Sequence, residues 1–150
     1  MRRLWLLVPI FALTTVTTAP PAGAMTPCQV GYGLGAEIAK GPVHVGEHTD
    51  VSAVVTTSGP WSTYPANCPL TNVDAVATFA NGTTKTLVAN GSVAAGPDLV
   101  LFTKNVKVKK AYVIDDSTYG PLFRVSVSMT AVSDGVPLDA GPATYAVAVN

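Results

Sequence analysis

The chain has 150 residues, 48% of them hydrophobic and 12% charged, and its formal net charge is zero. That balance leaves no overall electrostatic footprint for nucleic acid or an anionic membrane. The length suits one domain with a real core, and abundant Val, Ala, Thr, Ser and Gly favour strands and tight turns over helices.

The N-terminus carries the first interpretable pattern. Arg2 and Arg3 make a short positive start, Leu4 to Leu13 is an apolar run broken only by Pro9, and Ala22-Gly23-Ala24 supplies a small-x-small end. These are the three parts of a secretory signal peptide. The run is well short of the ~20 residues that cross a bilayer. The expected organisation is a signal peptide over 1–24, cleaved near Ala24, and one extracellular domain over 25–150. Losing Arg2 and Arg3 leaves the mature chain slightly acidic. No later segment is predicted to span a membrane.

The domain's two cysteines are Cys28 and Cys68. In an oxidising compartment they read as one disulfide, with roughly 4 kcal/mol of stabilisation in the chain-entropy model. Two free thiols are the alternative, and no histidine close in sequence activates them.

Alternation then sets the strands. Val30, Tyr32, Leu34, Ala36 and Ile38 share one parity, with Gly31, Gly33 and Gly35 on the other. One face is apolar, and the other is bare enough for close approach to the backbone. Val43 to Glu47 is a short piece kinked at Gly46, and Val51, Ala53 and Val55 form a strand ending at Ser58-Gly59-Pro60. Pro60 to Asn72 reads as a loop. Val73 to Phe79 alternates, Asn81-Gly82 predicts a hairpin turn with both residues at positive φ, and Thr83 to Val88 returns to a second turn at Asn90-Gly91. Leu99 to Val108 is a strand in which Lys104 breaks the apolar parity, marking a bulge or an edge. Asp115 to Pro121 reads as loop. Phe123, Val125, Val127, Met129 and Ala131 form the cleanest inward face. Asp134-Gly135 and Gly141-Pro142 bracket a connection before Tyr145, Val147 and Val149. About seven strands with frequent turns predict an antiparallel β-sandwich.

The run from Gly41 through Val45-Gly46-Glu47 to Gly59 resembles the opening strands of bacterial immunoglobulin-like domains. Leu122 to Gly135 is similar to their penultimate strand. The resemblance implies a single immunoglobulin-like sandwich. Antibody-type domains bridge their two sheets with a disulfide, whereas here Cys68 lies in a Pro-rich loop and Cys28 near the start. In a seven-strand sandwich those two positions fall at the same end. The chain also resembles secreted actinobacterial chromophore-binding apoproteins of the neocarzinostatin type in size and in its Ala/Val/Thr/Gly texture, but lacks their second disulfide.

Several patterns invite chemistry. His44, Glu47 and His48 match the H-x-x-E-H spacing of inverted zinc peptidases, a motif that needs a helix. Pro42, Val43, Val45 and Gly46 oppose one, and in a strand the histidines stand about 13 Å apart, so a solvated turn is expected and no metal site. Gly31, Gly33 and Gly35 lack both the G-x-G-x-x-G spacing and a following helix. Asp115, Asp116 and Ser117 offer too few oxygens for calcium and read as a turn. Asn81 and Asn90 open N-glycosylation sequons that equally suit turns. Lys104, Lys107, Lys109 and Lys110 form a basic edge patch, the usual protection against strand pairing, with acidic glycans or lipid headgroups as the alternative role. Trp61 and Tyr64, in the long loop bearing Cys68, are the expected binding anchors; the competing role for Trp61 is to cover the end of the core.

With two histidines in one segment the supply of general bases is thin. The expected function is a secreted, non-enzymatic module binding an unidentified protein or glycan, with no cofactor. A small-molecule carrier is the alternative, and a small secreted hydrolase a third.

Overall fold

A computed structural model describes residues 32–56, 69–94 and 99–150. Two antiparallel sheets pack face to face as an all-β sandwich. The first contains β1 (Gly33–Ile38), β2 (His48–Thr56) and β5 (Leu99–Lys107), in the order β1-β2-β5. The second contains β3 (Leu70–Phe79), β4 (Thr84–Val93), β6 (Val113–Asp116), β7 (Gly120–Ser133) and β8 (Val136–Ala148). β8 pairs along nearly the whole of β7, while β3 and β6 share its other edge end to end.

Period-two alternation decides which side chains fill the core. On β2, Thr49, Val51, Ala53 and Val55 face inward; on β3, Val73, Ala75, Ala77 and Phe79; on β7, Phe123, Val125, Val127, Met129 and Ala131. Phe79, Tyr112 and Phe123 close one end of this core. Phe79 stacks on Tyr112 with ring centroids 4.2 Å apart, and Phe123 lies 6.0 Å from Phe79.

The same end is fastened by the crossover between β1 and β2. Val43 makes a parallel bridge to Val149, donating to the Ala148 carbonyl at 2.9 Å, so the chain passes from the first sheet to the edge of the second. Gly46, at φ 99°, then turns it back to bond with Val108 at 2.8 Å.

Five local expectations are corrected. Asn81 does not take positive φ: Gly82 alone does, at 87°, and the hairpin closes through Gly82 N–H to the Phe79 carbonyl, a type I turn with a glycine bulge. Asn90-Gly91 is not a turn but lies inside β4, where Asn90 at φ 52° donates its N–H to Asp74 Oδ1 at 2.8 Å and the β3–β4 register shifts. Gly141-Pro142 is likewise a bulge within β8 rather than the end of a connection: the β7–β8 register shifts between Val127 and Met129, and glycine fits at φ 104° where a Cβ would come within 2.6 Å of the Val127 carbonyl. The segment Asp115 to Pro121 is a hairpin, not a loop: Asp116 Oδ1 accepts the N–H groups of Thr118 (2.8 Å) and Tyr119 (2.9 Å) and turns β6 into β7. Asp134 and Gly135, at φ 50° and 78°, make a two-residue hairpin directly joining β7 to β8.

Candidate functional site

Each sheet ends on one side in an edge strand, β5 in the first and β4 in the second, and these two edges approach each other across the sandwich. Among the described residues no strand covers the seam between them. Near the aromatic end of the core the seam opens into a cleft of about 350 Å³. Lys85 enters it from the start of β4, Lys107 from the end of β5, and Lys109 from the 3-10 turn Lys110–Tyr112 and its approach. Thr84, Asn105 and His48 add neutral polar groups, and Phe79 and Tyr112 line the floor.

Lys104 and Lys110 flank this cleft. With Lys85, Lys107 and Lys109 they make five of the chain's nine basic residues, so a chain of zero net charge carries a concentrated positive edge. Among the described residues no carboxylate forms an ion pair with any of the five. Lys109 Nζ instead stands 5.7 Å from the Tyr112 ring centroid, a cation–π distance. The acid on the adjoining strand, Asp50, accepts the Asn105 amide at 2.9 Å.

The lysines differ in role by register. Lys104 pairs with Val51, whose neighbours of the same parity are core residues, yet Lys104 is exposed. The β2–β5 register runs without a shift from His48 to Thr56. Lys104 therefore marks an edge, and of the two sequence expectations the bulge is the one to set aside. A charge at a core-facing edge position opposes pairing with another chain. Lys85 was missed by the sequence reading. It belongs to the cleft only because Ala77 pairs with it and β4 lies against β5, relations that leave no mark in the local sequence.

Trp61, Tyr64, Cys28 and Cys68 lie outside the described residues. Their flanks are placed: Gly33 pairs with Thr56, and Thr56 in turn with Leu99. The chain thus starts β1 and leaves β2 at the same end of the sandwich. Among the described residues the outer face there carries no charged side chain. Gly33 and Gly35 leave Val54 uncovered, and Leu99 and Leu101 are 54% and 46% exposed. Gly33 also sits so close to Thr56 that a Cβ would meet its Oγ1 at 2.7 Å.

His44 is exposed, with Nδ1 3.1 Å from the Asn150 carbonyl oxygen, while His48 belongs to the lysine cleft. Among the described residues no three His, Cys, Asp or Glu side chains gather as a metal site, and no helix is long and apolar enough to cross a membrane. A second groove, of about 360 Å³, lies across β3, β7 and β8 with Asp74, Thr130 and Asp139 in one row. Asn81 and Asn90 are both exposed.

No protein-family model matches this chain, and no curated protein is similar to it. Among solved structures it is similar to the structural-genomics target SoR45, at 11% identity over 80% of this chain and 88% of that one, with a TM-score of 0.46. It is also similar to a Bordetella pertussis protein, target BeR40, provisionally assigned as ApaA, at 9% identity over 79% of this chain and 91% of that one, with a TM-score of 0.42. The functional reading rests on the chain's own residues.

Proposed function

We propose that this protein is a secreted binding module of immunoglobulin-like type, not a catalyst, and that it holds an extracellular protein or glycan. The strand order supports the immunoglobulin-like reading. The first, second and fifth strands form one sheet, the fourth, third, seventh and eighth lie side by side in the other, and the first strand's continuation crosses to the end of the eighth. Fold alone does not assign a function. The observation that carries the binding reading is the cleft between β4 and β5, where unpaired lysines from three separate segments converge.

A second contact surface is favoured by the exposed Leu99 and Leu101 beside Val54 and Gly35. It adjoins the end from which the Trp61 and Tyr64 segment departs at Thr56.

The test is retention of extracellular material from the native host on the immobilised full-chain protein. Material should be retained and then lost with the double variant Lys107→Glu/Lys109→Glu. Equal retention by the variant moves the site away from the cleft, and no retention at all removes the binding-module reading.

A further inference from the structure

We propose that the lysine cleft binds a linear acidic polysaccharide, a chain of sugars bearing carboxylate or sulfate groups. The inference rests on the binding-module reading and names its ligand.

The charge is spread, not focused. Lys85, Lys107 and Lys109 line the cleft, Lys104 adds a charge on the core-facing side of the same edge strand, and Lys110 adds another on the following turn. Lys107 and Lys109, of one parity and both lining the cleft, stand roughly 7 Å apart along the chain at ~3.3 Å per residue, and Lys85 faces them from β4. A single phosphate or sulfate ion engages one focus of charge, whereas this stripe matches anionic groups repeated along a polymer. The cations are all lysines. Ammonium point charges on flexible stems accept anions at varied spacing, where an arginine fork selects one planar partner.

The neutral lining fits sugars. Thr84, Asn105 and His48 supply hydrogen-bonding groups for ring hydroxyls between the charges, and Phe79 and Tyr112 supply apolar carbon edges. The rings exclude a competing polymer. Phe79 and Tyr112 are only 4% and 5% exposed and stack on each other, so neither face is open to a nucleobase, and single-stranded nucleic acid binds through such open faces. The shape argues against a lipid surface. A bilayer meets groups that protrude from a protein, while three of these lysines open onto a recess with a buried floor.

The experiment is calorimetric titration of the full-chain protein with polygalacturonate, dextran sulfate, neutral dextran and anionic phosphatidylglycerol vesicles. Both acidic polysaccharides should bind, neutral dextran should not, and affinity should fall steeply as salt rises from about 0.05 to about 0.5 M. Lys107→Glu/Lys109→Glu and, separately, Lys85→Glu should each weaken binding by about tenfold or more. Lys40→Glu, an exposed basic site beyond β1, should leave it unchanged. All four lysines are exposed, and an unchanged thermal midpoint confirms that each variant folds.

Equal binding by cleft and control variants overturns the proposal. So does vesicle binding without polysaccharide binding, in favour of a membrane surface. If neither acidic polysaccharide binds while host material is still retained through Lys107 and Lys109, the ligand class is wrong and the binding module stands. If nothing is retained either, both readings fall.

Discussion

Lys85 and Lys104 occupy equivalent places on opposite sheets. Lys85 pairs with the buried Ala77 and Lys104 with the buried Val51, so each lysine stands at a core-facing register position of an edge strand, and both edges border the same seam. Two sheets have solved the same problem in the same way. A charge aimed at the core side of an edge forbids another strand from docking there. The same two charges also leave the seam positive.

Lys104→Val separates these roles. Valine at that position continues the apolar row of Val100, Phe102 and Val106. The variant should keep or slightly raise monomer stability while associating through β5, detected as a concentration-dependent rise in mass by sedimentation. A strictly monomeric Lys104→Val at high concentration would show that Lys104 does not guard the edge.

Among the described residues two buried hydroxyls lack partners. Thr49 Oγ1 and Ser133 Oγ are enclosed without a hydrogen bond, and an unsatisfied buried polar group costs about 1–3 kcal/mol. Thr49→Val and Ser133→Ala should each stabilise the domain by about 1 kcal/mol in urea unfolding. A loss of stability in either would mean that its hydroxyl has a partner, such as a bound water.

The aromatic end is the mechanical base of the cleft. Phe123 is fully buried and lies 6.0 Å from Phe79 and 6.4 Å from Tyr112. Phe123→Ala should cost about 3–5 kcal/mol and, if the domain still folds, weaken ligand binding by loosening the floor. Full stability in the variant would contradict the placement of this cluster in the core.

The pairing of Gly33 with Thr56 bears on the cysteines. Cys28 precedes the first of these residues and Cys68 ends the segment that follows the second, so the described strands bring their flanks to one end. The exported protein should begin at Met25 and carry a Cys28–Cys68 disulfide. Intact-mass analysis should find no alkylatable thiol before reduction; two such thiols, or a retained N-terminus, would count against the bridge or the export.

The inward faces were legible in the sequence because burial imposes a period of two, and Val51, Ala53 and Val55 or Phe123 to Ala131 repeat it without interruption. The bulges were not. Asn90-Gly91 and Gly141-Pro142 are turn dipeptides by local preference, and only long-range relations, a hydrogen bond to Asp74 in one case and the continued pairing of β8 with β7 on either side in the other, keep them inside strands. The β6–β7 hairpin was hidden for a similar reason, since it depends on one aspartate oxygen serving two N–H groups. The cleft was half visible. The lysines of β5 and its turn stand close in sequence, but Lys85, His48 and the ring of Phe79 join them only through the packing of one sheet on the other.

The most direct test of the cleft is amide chemical-shift mapping by NMR during titration with an oligogalacturonate. Shifts should concentrate at Thr84, Lys85, Asn105, Lys107 and Lys109, with the amides of Gly35, Val54 and Leu101 unmoved. Shifts confined to those last three, or none at saturating ligand, would contradict the assignment of the lysine cleft as the binding surface.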